Sequence, residues 1–204
     1  GKRVAVGLRT IAAVVIPAGV GYLVLARPIV SVALEHGALR AGSASTTAGV
    51  LALLALGLPG FSLFLFVARA YQAMQDTRTL FFLYLWENGA NIGLALALYP
   101  SLGVHGLALS YSLSYTVAAA AGVVQLQRRV GSVDMAGVVQ TWVRIAFASA
   151  VMAGAVAALS ALPTPAVVKA GAGVIAGVTV YLVVANRLRV RELSALLRTG
   201  RGLP

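Results

Sequence analysis

The sequence predicts an all-α protein, a polytopic transmembrane helix bundle of about six spans. Of the 204 residues, 60% are hydrophobic and only 10% are charged, whereas a soluble domain has about 25% charged residues. Apolar stretches of about 20 residues recur along the chain, the length that crosses the hydrocarbon core as a helix. These stretches are continuous and rich in Ala and Leu, which favours helices over the alternating strands of a membrane barrel.

The breaks between the predicted helices have physical causes. Pro28, after Arg27, lacks an amide hydrogen and ends or bends the first helix, and residues 42–46 (GSAST) offer N-caps for the second. The polar segment 75–78 (QDTR) predicts a tight turn before the third. Two further turns contain proline, at 100–103 (PSLG) and 162–165 (LPTP).

These breaks divide the chain into one bundle, residues 1–186, and a basic cytoplasmic tail, residues 187–204. The chain does not open on a signal peptide pattern, and we expect it to be part of a longer protein. The six predicted spans lie near residues 8–26, 48–68, 80–98, 104–124, 143–162 and 166–185.

The basic residues are sorted to one side of the spans. If the spans alternate in direction, 13 of the 16 Lys and Arg residues lie on the side of the two chain ends. Because Lys and Arg in short loops mark the cytoplasmic face, both ends are predicted to be cytoplasmic in a multi-pass cell-membrane protein. This bias explains the net charge of +11 without nucleic acid. The thirteen are Lys2, Arg3, Arg9, Arg69, Arg78, Arg128, Arg129, Arg144, Arg187, Arg189, Arg191, Arg198 and Arg201, and the other three are Arg27, Arg40 and Lys169.

The composition removes several classes of chemistry. Without cysteine the sequence has no disulfide and no thiolate ligand, and the two distant histidines, His36 and His105, do not suggest a zinc site. No Ser/His/Asp grouping, phosphate-binding loop or HExxH motif is present. We therefore predict a protein that is not an enzyme and has no resident cofactor.

A polar face on the third predicted helix is the strongest candidate for a site. Tyr84, Glu87, Asn88 and Asn91 share one side of it, because they are spaced by three and four residues. A carboxylate is costly to bury in lipid, so Glu87 should face protein or water and is a candidate for protonation.

The fourth predicted helix carries hydroxyls at matching depth. A hairpin near residue 101 places Asn91 level with Ser110, and Glu87 level with Ser114. Two interpretations stay open for these stripes: hydrogen bonds that pack the helices, or a site for an ion, a proton or a lipid headgroup.

Two further groups are candidates. The first group lies at the cytoplasmic end of the second helix and could form a gate. It consists of Arg69, Tyr71, Asp76 and Arg78. Anchoring at the interface is the alternative for Arg69 and Tyr71, and a turn cap is the alternative for Asp76.

Small residues mark the last two helices. Gly173 and Gly177 form a GxxxG pattern, and Gly154 and Gly171 add further small faces. These glycines favour either close helix packing or a groove that holds a lipid tail.

Three segments resemble the MurJ/MviN family, the lipid II flippases of the multidrug/oligosaccharidyl-lipid/polysaccharide exporter superfamily. The resemblance is strongest over the first two-thirds of the chain, and the last two helices match by position and character. Leu80 stands where many members have proline. The segments are residues 55–80 (ALGLPGFSLFLFVARAYQAMQDTRTL), 16–39 (IPAGVGYLVLARPIVSVALEHGAL) and 87–115 (ENGANIGLALALYPSLGVHGLALSYSLSY).

The resemblance implies a fourteen-helix protein of two lobes, with this chain as helices nine to fourteen and the N-terminal lobe as its partner. It implies transport of an undecaprenyl-linked peptidoglycan precursor from the inner to the outer leaflet by alternating access, within membrane lipids. Coupling to Na⁺ or H⁺ is implied at Glu87 and Asn91, with Ser110 or Ser114 adding an oxygen. The resemblance also favours a lipid-tail groove at the last two helices.

Two alternatives remain open from the sequence. A related exporter would carry drugs or other polyprenyl-linked glycans on the same fold. A non-transporting membrane scaffold would pair every polar residue between helices and contain no cavity, whereas a flippase lobe would turn Glu87 towards a water-filled cavity.

Overall fold

The computed structural model describes residues 1–34, 41–131, 133–188 and 190, and within these ranges the regular structure is entirely helical. The predicted fold class is confirmed. The bundle consists of α1 (Lys2–Leu34), α2 (Ala41–Ala73), α3 (Thr77–Leu102), α4 (Val104–Val130), α5 (Met135–Ser160) and α6 (Ala166–Arg187).

Five of these helices are long and apolar enough to cross a membrane, and α3 is the exception among the described helices. With 26 residues, α3 is about 39 Å long, which is ample for a span. Its polar residues Glu87, Asn88 and Asn91 lower its hydropathy. Among the described helices, the one that carries the candidate site is therefore the one that composition alone does not identify as a span.

Helix α1 lies at the centre of the bundle. It packs against α2, α5 and α6, while α4 packs against α2 and α3. One core cluster, which includes Leu8, Val67 and Leu126, joins α1, α2 and α4. A second, which includes Ile145 and Tyr181, joins α1, α5 and α6.

Small residues bring α2 and α4 together. A Cβ atom on Gly57 would lie 2.6 Å from the Ser112 Cα, and a Cβ atom on Gly60 would lie 2.7 Å from the Thr116 Cα. The Ser112 hydroxyl donates to the Leu53 carbonyl across the contact at 2.7 Å. Backbone-to-backbone approach of this kind is how helices pack in lipid, where apolar side chains gain little from burial.

The first two helices extend further towards their outer connection than predicted, and Pro28 does not end the first. Helix α1 continues through Pro28 to Leu34, because a proline late in a helix removes one hydrogen bond without preventing the last turns. Helix α2 already begins at Ala41, so residues 42–46 lie inside it instead of capping it. Arg40, between the two helices, lies outside the described residues.

The remaining turns lie within or beside the predicted segments, parts of which are helical, since residues 77–78 and 100–102 belong to α3. Asp76 caps α3, and α5 and α6 are separated by residues 161–165. Helix α3 runs through Pro100 to Leu102, and the hairpin pivots on Gly103, whose φ of 56° suits glycine. Helix α6 ends at Arg187, and most of the predicted tail lies outside the described residues.

Candidate functional site

Glu87 is buried between α3 and α4, with 1% of its surface exposed. Its Oε1 atom lies 3.2 Å from the Ser114 Oγ, and its Oε2 atom accepts from the Asn88 amide at 2.9 Å. The expectation that Glu87 faces an open cavity is therefore wrong for this structure. Because α3 and α4 are antiparallel neighbours, the hairpin brings the carboxyl against the serine instead.

The second predicted pair lies one helical turn away. The Ser110 Oγ is 3.1 Å from the Asn91 Oδ1, so the register predicted from a hairpin near residue 101 is confirmed. Ser110 and Ser114 are fully buried. The Asn88 amide, in contrast, makes its hydrogen bonds within α3, where it also donates to the Tyr84 carbonyl at 2.8 Å. The interhelical hydrogen bonds expected of a packing role are present.

The hydroxyl of Ser114 lies near two acceptor oxygens but has a single hydrogen to donate. It lies 3.0 Å from the Tyr111 carbonyl as well as 3.2 Å from Glu87, and a hydroxyl carries one hydrogen. If Ser114 donates to Tyr111, a protonated Glu87 can donate to Ser114. If Glu87 is ionised, Ser114 can turn to donate to it. The geometry thus accommodates both protonation states of the carboxyl without moving a helix.

An aromatic cluster surrounds this polar layer. Phe64 is 1% exposed, and its ring lies edge-on to Tyr84 at 5.0 Å and to Tyr115 at 5.4 Å. Phe61 approaches Tyr115 at 5.0 Å. Sequence analysis overlooked Phe61 and Phe64, although their spacing of three residues places both on one side of α2. They tie α2 to the α3–α4 pair at the depth of Glu87.

The four predicted gate residues differ in their surroundings. Tyr71 is fully buried, so it is not an interfacial anchor, and its hydroxyl has no hydrogen-bond partner among the described residues. Arg69 and Arg78 are exposed. Asp76 caps α3 by accepting from the Thr79 amide at 3.1 Å, which confirms the alternative of a turn cap.

Within the described part of the chain, two ion pairs lie at this end of the bundle, and sequence analysis predicted neither. Arg129 of α4 contacts Asp76 at 2.9 Å, and Arg9 of α1 contacts Asp134 at 2.7 Å. Asp134 also caps α5 by accepting from the Gly137 amide at 3.0 Å. Each carboxylate therefore begins one helix and binds an arginine of another.

Acid should weaken both connections. Hydrogen bonds from the amides of Thr79 and Gly137, together with the nearby arginines, hold the pKa of Asp76 and Asp134 below the usual 3.8. A lowered folded-state pKa stabilises the fold above pH 3.8, and this stabilisation is lost as the pH falls through the folded-state value. We expect the melting temperature in detergent to decrease when the pH is lowered below about 4.

The Asp76→Asn/Asp134→Asn variant should have a lower melting temperature at pH 7. On acidification its melting temperature should decrease less than that of wild type, because asparagine keeps the caps but has no charge to lose. If acid lowered the melting temperature of this variant as much as that of wild type, the two carboxylates would not be the source of the acid sensitivity.

An apolar groove runs between α1, α5 and α6. It encloses about 390 Å³, and its lining includes Gly21, Leu25, Val156, Gly173 and Gly177. Gly173 and Gly177 also permit close packing, since a Cβ atom would lie 2.7 Å from Leu25 at the first and 3.2 Å from Val156 at the second.

The other two predicted groove glycines lie elsewhere. Gly154 and Gly171 are exposed, and a Cβ atom on either would contact nothing within 4 Å. They are not among the residues that line the apolar groove. The apolar groove thus includes two of the four glycines named from the sequence, together with α1, which sequence analysis did not assign to it.

The described residues hold no cluster of three or more His, Cys, Asp or Glu side chains. Between α3 and α4, the side-chain oxygens that meet across the helix pair are those of Glu87, Asn91, Ser110 and Ser114. This is a small set of hard ligands, suited to Na⁺ or a proton more than to a transition metal.

Comparison with known proteins points to one family. A profile described as lipid II flippase MurJ matches residues 1–172. A probable lipid II flippase MurJ of Thermotoga maritima is 32% identical over 190 residues, which cover 91% of this chain and 37% of the relative. A lipid II flippase MurJ of Thermosipho africanus is 31% identical over 107 residues, which cover 52% of this chain and 22% of the relative.

A solved structure supports the same assignment. Lipid II flippase MurJ in an inward closed conformation superposes with a TM-score of 0.77 at 26% identity, over 91% of this chain and 38% of that one. The profile match includes all of α5 and the start of α6, further than the first two-thirds where the sequence resemblance was strongest. The chain spans a little over a third of the length of the Thermotoga maritima relative.

Proposed function

Because this chain belongs to the lipid II flippase MurJ family, we propose that it forms part of a transporter for lipid II. The transporter moves this polyprenyl-linked peptidoglycan precursor from the inner to the outer leaflet, without catalysing a covalent step. The family match over residues 1–172 carries this proposal. Alternating access needs a second lobe to move against this one, so the N-terminal lobe of the same protein is the partner that we propose.

The apolar groove suits the lipid tail. It lies between helices whose flanking surface is apolar, with Val14, Tyr22 and Val174 exposed beside it. A polyprenyl chain can remain in a hydrocarbon-like environment there while the headgroup passes through a polar cavity. The headgroup would then bind to surfaces between the two lobes.

We further propose that Glu87 couples transport to a cation, either Na⁺ or H⁺. Burial supports this role, because an ionisable group is expensive to keep inside a membrane without a partner. Glu87 and Asn91 lie one turn apart on α3 and face Ser114 and Ser110 on α4. Movement of α3 relative to α4 would change the number of oxygens that a cation can reach.

The distribution of charge supports an orientation in the membrane. We propose that the end of the bundle with the Asp76 and Asp134 ion pairs faces the cytoplasm. Lys2, Arg3 and Arg128 add to the basic character of that end, as expected of a cytoplasmic face.

A rescue experiment tests the proposed substrate. In cells depleted of their own flippase, the intact protein that carries this chain should restore lipid II to the outer leaflet, as measured by its accessibility to an external enzyme. Replacing external and internal Na⁺ with a large organic cation should slow rescue if Na⁺ is the coupling ion. A well-expressed protein that restores no lipid II would favour an exporter of other polyprenyl-linked glycans or drugs.

Filling the apolar groove should slow transport. Gly21 lines the groove, and a side chain there would meet nothing within 4 Å, so Gly21→Leu should fold normally while it occupies the space for the tail. We expect translocation to fall by about fivefold or more, since each buried methylene of the tail contributes about 0.8 kcal/mol. Gly154→Leu adds the same side chain outside the groove and is the matched control. Equal rates for the two variants would argue against a tail site here.

A further inference from the structure

A polar cavity of about 610 Å³ lies at the end of the bundle opposite the Asp76 and Asp134 ion pairs. We call it the Arg27 cavity. Its lining includes Arg27 of α1, Ser45 of α2, Ser160 at the end of α5, and Ala166 and Lys169 of α6. It is separate from the polar layer at Glu87. The apolar part of its lining, which packs α1 against its neighbours, includes Val24, Val30, Ala44 and Ala48.

The cavity brings two cations together with no carboxylate in its described lining. Arg27 and Lys169 both line it, although they are 142 positions apart in the sequence. The acidic residues that the structure describes lie elsewhere: Asp76 and Asp134 at the other end, and Glu87 between α3 and α4. An anion in the cavity would offset any repulsion between two like charges that both line it.

The start of α6 adds to this positive potential. Pro165 is its N-cap and offers no side-chain hydrogen bond, and the first turn contains no acidic residue. The first backbone bond joins the Lys169 amide to the Pro165 carbonyl at 3.0 Å, so the amides of residues 166–168 have no partner within the helix. A lysine in the first turn also opposes the helix dipole. An anion at Ala166 would reverse both unfavourable features.

Ser160 supplies an independent observation. Its hydroxyl oxygen is buried and has no hydrogen-bond partner among the described residues, yet Ser160 lines the cavity. A buried hydroxyl without a partner is destabilising. Rotation about its χ1 angle would turn this hydroxyl towards the cavity, where an oxygen atom of a ligand would accept its hydrogen.

From this convergence of donors we propose that the Arg27 cavity binds a phosphate group, carried either by an anionic lipid headgroup or by inorganic phosphate. Arginine can bind two phosphate oxygens at once, while lysine, Ser160 and the helix amides supply donors from other directions. A tetrahedral group with several oxygens can use donors that converge from three helices. The position near one membrane surface makes lipid headgroups accessible as one source.

Binding of phosphatidylglycerol tests the proposal. The intact protein, purified in neutral detergent, would be titrated with phosphatidylglycerol and with diacylglycerol, which lacks the phosphate, and the complexes counted by native mass spectrometry. We expect Arg27→Gln/Lys169→Gln to bind phosphatidylglycerol at least about tenfold more weakly, because it loses two charge-assisted contacts. Lys2→Gln/Arg3→Gln removes the same charge at the opposite end and should bind as wild type does. Ser160→Ala, which leaves both charges in place, should bind a few-fold more weakly.

Competition by inorganic phosphate separates the two sources. Displacement of phosphatidylglycerol by excess phosphate in wild type would support the free ion as a sufficient ligand. Binding that resists phosphate but is lost in Arg27→Gln/Lys169→Gln would support the lipid headgroup. Equal binding of phosphatidylglycerol and diacylglycerol, or equal losses in the two double variants, would overturn the proposal.

Discussion

Glu87→Gln should fold normally and lose at least about tenfold in lipid II translocation, a loss within the usual range of coupling between two sites. Glutamine has the length of glutamate, and its amide can donate to the Ser114 Oγ while its oxygen accepts from Asn88. It therefore keeps the hydrogen bonds at 3.2 Å and 2.9 Å that hold the side chain. What it loses is the capacity to release a proton or to offer a negative charge to a cation. Translocation would be measured in flippase-depleted cells at matched expression.

Ser112→Ala is the matched control for this experiment. Ser112 lies on α4 near the same depth, but its hydroxyl donates to the Leu53 carbonyl of α2 and not to Glu87. Its loss should leave translocation close to that of wild type. If Glu87→Gln translocates as well as Ser112→Ala, Glu87 is a packing residue, and the interhelical hydrogen bonds account for it fully.

Gly57→Ala and Gly60→Ala should each destabilise the bundle by about 1–3 kcal/mol, the usual cost of an overpacked contact. The atoms in the way belong to the backbone of α4, at 2.6 Å from the new Cβ at Gly57 and 2.7 Å at Gly60. A side chain could rotate away, but a backbone atom moves only if the helix moves. The double variant should therefore accumulate poorly, and each single variant should have a lower melting temperature in detergent.

Gly93→Ala provides the comparison. A Cβ atom at Gly93, in the middle of α3, would meet nothing within 4 Å. Alanine there should stabilise the helix by about 0.5–1 kcal/mol, because glycine loses more backbone entropy on folding. If Gly57→Ala melts at the temperature of Gly93→Ala, the close contact between α2 and α4 is not required for stability.

Sequence reasoning placed the polar layer well, because a hairpin of two continuous helices has little freedom. Once the turn is located near residue 101, the rise of about 1.5 Å per residue makes equal distances from the turn equal depths. Asn91 therefore meets Ser110, and Glu87 meets Ser114. The orientation of the carboxyl was harder to predict, because facing a serine or a cavity depends on how far α4 rotates.

The groove shows what the sequence could not decide. Gly173 and Gly177 are four residues apart and share a face, whereas Gly171 is two residues before Gly173 and points to nearly the opposite side. This spacing places Gly171 on a different face of the helix from Gly173 and Gly177. It does not show which of the two faces packs against α1. Proline was also misleading at position 28, where the local preference against helix is outweighed by packing of the last turns of α1, including the buried Val30.

The shared role of Asp76 limits how this protein can diverge in evolution. Its carboxylate must accept from the Thr79 amide to begin α3 and must face Arg129 of α4. Exchanging the two residues would preserve opposite charges but would leave α3 without an acceptor, so a charge-swapped descendant should be rare. Asparagine or serine at this position keeps the cap alone and frees Arg129 to vary. Homologues should therefore retain an N-capping residue at the position of Asp76 more strictly than a basic residue at that of Arg129, and the same asymmetry should hold for Asp134 and Arg9.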